Sequence, residues 1–206
     1  MQARGFLIGA TAGRTTLNGE GLQHEDGHSL ILANTIPNCK SFDPAYNFEL
    51  AVIIQDGMRR MYKEGENCFY YVTTMNENYV HHAMPEGAEE GIIKGMYKLK
   101  AGTTKKKNRV QLMGGGAILR EVEAAADILR DDFDVESDIW SLTSVNELTR
   151  QGQHIHRHNT LHPEDSPKKA YITECLEDAE GPVIAATDYM KAYAEQLRAF
   201  IPAPSY

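Results

Sequence analysis

Cysteine is scarce in this 206-residue chain, and long apolar runs are missing. Cys39, Cys68 and Cys175 are odd in number, lie far apart and form no C-x-x-C or other metal-ligand spacing. This usage favours a reduced, cytoplasmic setting in which disulfides are not needed. No stretch approaches the roughly 20 apolar residues that a membrane span requires, and the N-terminus lacks the apolar region of a signal peptide. We therefore expect no membrane partner.

A concentrated basic face is missing as well. The net charge is −8, which argues against nucleic acid as a partner because such binding depends on clustered lysine and arginine. The one basic run, 105–107 with Arg109, is flanked by Gly102, Thr103, Thr104 and Asn108. We interpret this run as a solvated loop.

Short apolar segments alternate with amphipathic segments along the chain. The predicted strands are 5–9, 68–74, 109–113, 138–143 and 182–186. The predicted helices are 44–62, 86–96, 117–130, a short helix that Ser144 caps, and 189–201. Strands that alternate with helices predict an α/β fold of parallel sheets with helices on both faces.

Two features predict how the chain is divided. The helix that begins near Pro44 has Asp43 placed to cap its start and Gly65 beyond its end. The polar segment 76–85, which contains His81 and His82, then interrupts the pattern. We place a domain boundary there, with one domain over 1–80 and a second over 81–206.

The segment 10–38 is rich in glycine and polar residues, and we expect a long loop that carries function. His24-Glu25-Asp26-Gly27-His28 within it matches H-E-x-x-H, the zinc metalloprotease signature. That motif works on a helix, where both histidines share one face. Glycines at 19, 21 and 27 oppose a helix here, and Glu49 is an uncertain third ligand. We therefore disfavour a zinc hydrolase.

Two other interpretations of the loop stay open. The first is a glycine-rich loop that carries His24 and nearby carboxylates to a site at a sheet edge, since histidine suits proton transfer near neutral pH. The second is that His24 and His28 are ordinary loop histidines.

Glycine and histidine recur at two further places without a specific spacing. Gly114-Gly115-Gly116 follows a predicted strand, but it does not form G-x-G-x-x-G, so we predict a tight turn between a strand and a helix. His154, His156, His158 and His162 have no cysteines or carboxylates at ligand spacing. For this cluster we favour a solvated segment over a metal site.

Several stretches resemble one family. They are 13–28 (GRTTLNGEGLQHEDGH), 35–39 (TIPNC), 43–46 (DPAY), 76–79 (NENY), 84–91 (MPEGAEEG) and 187–191 (TDYMK). Together and in this order they resemble the homodimeric pyruvate dehydrogenases of bacteria, from about residue 4 to the end of the chain. The resemblance implies the end of a pyrimidine-binding middle domain and most of a transketolase-like C-terminal domain.

The resemblance also implies a reaction. In the family, thiamine diphosphate with Mg²⁺ decarboxylates pyruvate, and the acetyl unit passes to the lipoyl domain of dihydrolipoyl acetyltransferase. His24 matches the loop histidine that lines the substrate cavity, and Glu25, Asp26 and His28 are implied to shape and orient that loop. Pyruvate, the lipoyl domain and a second copy of the chain are the implied partners.

The family's diphosphate and magnesium motif, Gly-Asp-Gly followed downstream by an asparagine, appears nowhere in the sequence. The glutamate that activates the cofactor is expected before Met1, and both ends are expected to be cut. We therefore expect no cofactor-binding or metal-binding residues in this piece, and no activity from it alone. A rival interpretation is an assembly module in dimerisation, mainly over residues 86–206.

Overall fold

Two small sheets organise the chain. The computed structural model describes residues 3–9, 17, 19–103, 108–202 and 206. The basic run 105–107 and most of the stretch 10–18 lie outside the described residues. Among the residues that the structure describes, there are seven strands: β1 (Phe6–Gly9), β2 (Cys39–Phe42), β3 (Phe69–Thr73), β4 (Met96–Lys100), β5 (Arg109–Gly114), β6 (Glu136–Leu142) and β7 (Val183–Ala186).

Seven α-helices connect and cover these strands in the described part of the chain. They are α1 (Ser29–Asn34), α2 (Asn47–Met58), α3 (Glu89–Lys94), α4 (Leu119–Phe133), α5 (Val145–Leu161), α6 (Tyr171–Leu176) and α7 (Lys191–Glu195). Helix α2 continues as a π-helical turn, and three short 3₁₀ helices complete the secondary structure that is described. These four elements are Arg59–Lys63, Leu22–His24, Gly116–Ile118 and Arg198–Phe200.

The first sheet has the order β1-β3-β2, and its strands are all parallel. In the second sheet, of order β4-β6-β5-β7, β5, β6 and β7 run parallel and only the edge strand β4 is antiparallel. The parallel strands β1 to β3 and β5 to β7 follow the expected α/β pattern. The antiparallel β4 makes the second sheet mixed.

Successive side chains of a strand point to opposite faces of its sheet, and each of the two sheets packs against helices on both faces. In β5, Val110 and Leu112 pack in one core with α4, whereas Met113 packs in another with α5, α6 and α7. In β3, Tyr70 and Val72 pack with α2, whereas Tyr71 lies against the core that contains Leu30 of α1. The predicted fold class is confirmed.

Polar side chains of α5 join the two sheets. Asn146 at the start of α5 donates to the carbonyl of Leu30 and to the hydroxyl of Ser41, both at 2.6 Å. Arg150, one turn later, donates to the carbonyls of Asn34 at 3.1 Å and Ile36 at 2.9 Å. Helix α5 therefore connects α1 and β2 of the first sheet to the second.

Most predicted elements are confirmed, and some predictions are wrong. The strands β1, β3, β5, β6 and β7 and the helices α2, α3 and α4 lie where they were expected. The segment 10–38 was expected to be a loop, but it contains α1, and β2 begins just after it. The helix predicted over 189–201 is divided into α7 and a 3₁₀ turn. Strand β4 was not predicted, because Met96 was placed at the end of a helix and no element was predicted over 97–100.

Helix capping follows the prediction at one end and departs from it at another. The hydroxyl of Ser144 accepts from the N–H of Glu147 at 3.0 Å, as expected, but α5 is 17 residues long instead of short. Asp43 does not cap α2. Glu49 does so, because its carboxylate accepts from the N–H groups of Ala45 and Tyr46 at 2.6 and 2.9 Å.

Candidate functional site

Asp43 lies where the carboxyl ends of strands from both sheets meet. It follows β2, and its main-chain N–H donates to the carbonyl of Thr143 after β6 at 2.8 Å. Its own carbonyl accepts from the N–H of Gly116, after β5, at 3.1 Å. In open α/β sheets, ligand sites form outside the carboxyl ends of parallel strands. This junction is therefore a candidate ligand site.

The side chain of Asp43 is buried among polar groups. Its carboxylate accepts hydrogen bonds from the hydroxyl of Thr73, at the end of β3, and from that of Tyr189 at 3.4 Å. Burial, followed by the charges of Asp188 and Glu49, raises the pKa of Asp43 to about 7, against the hydrogen bonds that lower it. An acid with this pKa exists in both protonation states near neutral pH.

Gly116 approaches this carboxylate so closely that a side chain would not fit. Its φ is +49°, and a Cβ atom there would lie 2.6–2.8 Å from the carboxylate of Asp43. The N–H of Gly116 is already bonded to Asp43. The triple glycine is therefore a tight turn, as predicted, and the Gly116 N–H is committed to Asp43.

The histidine loop, which we define as residues 19–28, lies between β1 and α1. Leu22–His24 forms a single 3₁₀ turn, in which the N–H of His24 donates to the carbonyl of Gly21 at 3.1 Å. His24 and His28 are both exposed, and Glu25 is partly buried. The loop therefore presents imidazoles to the outside of the described chain.

Asp26 holds the end of this loop. Its carboxylate accepts from the N–H groups of His28 and Ser29, both at 3.0 Å, and from the hydroxyl of Ser29. The hydroxyl of Tyr71 in β3 donates to Ser29 at 3.0 Å. Asp26 thus caps the first turn of α1 and orders the loop beside His28.

The second half of the chain also contacts the loop. The N–H of Met190, just before α7, donates to the carbonyl of Gly27 at 3.1 Å. Tyr189, the neighbour of Met190, contacts Asp43. The histidine loop and the strand-end junction are therefore connected through residues 189 and 190.

The four site residues predicted from the sequence are adjacent, but the geometry of a zinc protease is missing. His24 ends a 3₁₀ turn and His28 precedes α1, so no helix carries both. Glu49, the uncertain third ligand, is fully buried and its two oxygens accept four hydrogen bonds. No group of three metal-binding side chains occurs within the part of the chain that the structure describes.

The second histidine cluster lies mostly on α5, where His154 and His156 are exposed and His158 is partly buried, and the exposed His162 follows the helix. The rings of His158 and His162 are 4.6 Å apart, and Nε2 of His158 lies 3.0 Å from the ammonium of Lys168. A cation beside this imidazole disfavours a metal ion there.

The sequence pattern indicates no role for Asp43 beyond a helix cap, and none for Tyr189 or Met190. Their contacts join residues that are distant in the sequence, and no local pattern indicates them. The stretch 187–191 was nevertheless among those that carried the family resemblance.

Comparison with known proteins identifies two matching families. Residues 1–82 match the family described as pyruvate dehydrogenase E1 component middle domain, and residues 95–202 match the family described as transketolase-like TK C-terminal domain. The pyruvate dehydrogenase E1 component of Pseudomonas aeruginosa is 60% identical over 205 residues, which are 100% of this chain and 23% of that protein. The corresponding protein of Escherichia coli K12 is 59% identical over 206 residues, again 100% and 23%.

A solved structure agrees with these matches at the level of the fold. The transketolase of Campylobacter jejuni superimposes with a TM-score of 0.63 and 18% identity, covering 96% of this chain and 26% of that one. The chain spans 23% of the length of the curated relatives named above. Within the described residues, no helix is both long and apolar enough to cross a bilayer.

Proposed function

The chain belongs to the family of pyruvate dehydrogenase E1 components, and from this premise we propose that it supplies the substrate-facing histidine loop of an enzyme that decarboxylates pyruvate. The observation that carries the proposal is the histidine loop itself. It lies beside the junction of strand ends, with His24 exposed and with Asp26 fixing its backbone.

The proposed reaction belongs to the complete enzyme. Pyruvate loses its carboxylate as CO₂, and the remaining two-carbon unit is oxidised to an acetyl group as it reduces the disulfide of a lipoyl group on the acetyltransferase component. Thiamine diphosphate, when bound, supplies the carbon nucleophile that this decarboxylation requires. We propose a cytoplasmic homodimer as the working form.

His24 is the proposed catalytic residue of this chain. Imidazole exchanges protons near neutral pH and hydrogen-bonds carboxylate or carbonyl oxygens. The carboxylate of Asp26 accepts hydrogen bonds from the N–H groups of residues 28 and 29. We therefore assign Asp26 to orienting the loop and His24 to proton transfer. Glu25 and His28 complete the same loop and are proposed to shape the substrate side of the cavity.

The residues that the structure describes do not fit the diphosphate and Mg²⁺ of the cofactor. Mg²⁺ prefers clustered oxygen ligands, whereas the buried carboxylate of Glu49 is saturated by hydrogen bonds and that of Asp26 caps α1. The Gly-Asp-Gly motif is also missing from the sequence. We assign the binding of that end of the cofactor to parts of the enzyme that this chain does not include.

The proposed division of the chain is a middle-domain portion over 1–80 and a C-terminal-domain portion over 81–206. The segment 74–88 between β3 and α3 contains no helix or strand, which supports a boundary there. A second role, in assembly, is favoured by exposed apolar side chains of the latter portion. Ile128, Phe133 and Ile184 are 53%, 65% and 52% exposed.

Segment exchange tests the proposed function. The corresponding segment of the Escherichia coli relative is replaced by this chain, and we call the product the exchanged enzyme. Its decarboxylation of pyruvate is measured with thiamine diphosphate and Mg²⁺. We expect turnover within about tenfold of the parent, since 59% identity preserves the core and conservative core changes cost little. An exchanged enzyme that folds, dimerises and binds the cofactor, yet does not turn over pyruvate, contradicts the proposal.

A further inference from the structure

The histidine loop has an anchor that comes from far along the chain. The carbonyl of Gly27 accepts from the N–H of Met190 at 3.1 Å, and Gly27 is buried. This bond lies three residues from His24 and next to His28. A hydrogen bond at this place restricts the backbone that carries both imidazoles.

Tyr189 fixes the position of this anchor. It is 5% exposed, and its ring packs edge-on against that of Tyr193 with centroids 5.4 Å apart. Both tyrosines share one core with Leu30 of α1, the helix that the histidine loop leads into. The side chain of Tyr189 therefore lies in the same core as α1.

Asp43 in turn positions the hydroxyl of Tyr189. Asp43 is held by its main-chain bonds to Thr143 and Gly116 and by the hydroxyl of Thr73. Thr73 ends β3, and Thr143 and Gly116 follow β6 and β5, so the carboxylate has little freedom to move. It therefore offers a fixed acceptor, 3.4 Å from the Tyr189 oxygen.

We propose that Tyr189 and Met190 are positioning residues for the histidine loop, and that Asp43 sets their place from the junction of the two sheets. His24 then faces substrate in an orientation that depends on residues of the last strand-to-helix connection. The consequence for catalysis rests on the proposed function, whereas the positioning itself does not.

Two variants of Met190 test the anchor directly. The φ of Met190 is −58°, which lies within the range to which the proline ring restricts φ. Met190→Pro therefore removes the N–H with little change of φ at that residue. Met190→Ala keeps the N–H and removes the side chain. The readouts, on the full chain labelled with ¹⁵N, are the imidazole resonances of His24 and the exchange rates of the loop amides.

We expect Met190→Pro to shift the His24 resonances and to raise exchange of the amides in 20–28 by about tenfold, the effect of losing roughly one hydrogen bond. Met190→Ala is expected to leave both close to those of the unsubstituted chain. Unchanged His24 resonances and loop exchange in a folded Met190→Pro chain overturn the inference.

Variants of Asp43 keep the inference testable if the proline variant does not fold. Asp43→Ala removes the acceptor, and we expect the Met190 amide to exchange about tenfold faster, whereas Asp43→Asn retains an acceptor oxygen and restores slow exchange. Equal Met190 exchange in both variants and the unsubstituted chain overturns the role of Asp43.

The same Met190→Pro change in the exchanged enzyme separates this inference from the proposed function. A displaced His24 with a lower kcat supports both. A displaced His24 with an unchanged kcat supports the positioning role and contradicts the catalytic role of His24.

Discussion

Glu49 of α2 accepts a hydrogen bond from the hydroxyl of Ser141 of β6 at 2.6 Å, which connects a helix of the first sheet to a strand of the second. The same oxygen accepts from the hydroxyl of Tyr97 in β4, also at 2.6 Å. The other oxygen accepts from the N–H groups of Ala45 and Tyr46. Burial raises the pKa of Glu49 against these four hydrogen bonds.

Glu49→Ala is predicted to lower the free energy of unfolding by about 3 kcal/mol or more, because it leaves two main-chain N–H groups and two hydroxyls buried without their acceptor. Glu49→Gln is expected to cost less, since the hydroxyls can rotate to accept from the new amide. Urea denaturation measures both. The control is Glu121→Ala, a change of an exposed glutamate on α4. An equal decrease in the free energy of unfolding for Glu49→Ala and for this control contradicts the prediction.

Asp43 is predicted to make stability depend on pH in the direction opposite to that of an ordinary ion-paired aspartate. Its pKa is raised from 3.8 to about 7 in the folded chain, first by burial. Between these values the unfolded chain has released the proton and the folded chain keeps it, so the contribution of Asp43 to stability falls as the pH rises.

Asp43→Asn removes this titration. We expect its free energy of unfolding, relative to the unsubstituted chain, to increase from about pH 4 to about pH 7 and then to level off. Thr73→Val, which deletes a hydrogen bond that lowers the pKa of Asp43, is expected to extend the dependence to higher pH. Parallel stability curves for Asp43→Asn and the unsubstituted chain exclude this account.

Arg150 is predicted to stabilise the connection between α1 and β2. Its guanidinium donates to the carbonyls of Cys39, Asn34 and Ile36. Arg150→Met keeps the aliphatic packing and removes these donors. We expect it to lower the free energy of unfolding, measured with heat or urea, by about 2 kcal/mol. Arg157→Met, at an exposed position of the same helix, serves as the control. A loss in Arg150→Met no larger than in Arg157→Met refutes the assignment.

Calorimetry of the chain by itself tests which ligands it holds. Thiamine diphosphate with Mg²⁺ is expected to give no saturable heat, because Mg²⁺ prefers clustered oxygen ligands and the described residues contain no group of three His, Cys, Asp or Glu side chains that could hold a metal ion. Zinc is expected to bind no more tightly to the chain than to His24→Ala. Tight cofactor binding contradicts the assignment of that site elsewhere, and one zinc per chain that His24→Ala abolishes revives the hydrolase.

Local periodicity explains what the sequence predicts well. The helix α4 has apolar residues at helical spacing after a glycine turn, and β3 combines aromatic and β-branched residues, so both were found. The strand β2 contains Lys40 and Ser41 in only four residues, and the edge strand β4 contains Lys98 and Lys100. Pairing with neighbouring strands outweighs these weak local preferences.

The candidate site was predictable only in part. The histidine loop could be proposed as a site from the sequence because its motif is contiguous, from His24 to His28. Asp43 was taken for a helix cap because an acidic residue before Pro44 fits that pattern, yet its partners are Thr73, Thr143 and Tyr189. Such partners are brought together by the packing of two sheets, which no window of neighbouring residues contains.

Turnover of pyruvate by the exchanged enzyme carrying His24→Ala tests the central claim most directly, with His156→Ala on the exposed face of α5 as the matched control. We predict that His24→Ala lowers kcat by about 10²-fold or more, the usual contribution of a proton-transferring side chain, while thiamine diphosphate binding and the His156→Ala enzyme are unaffected. An unchanged kcat in His24→Ala would remove the histidine loop from the mechanism.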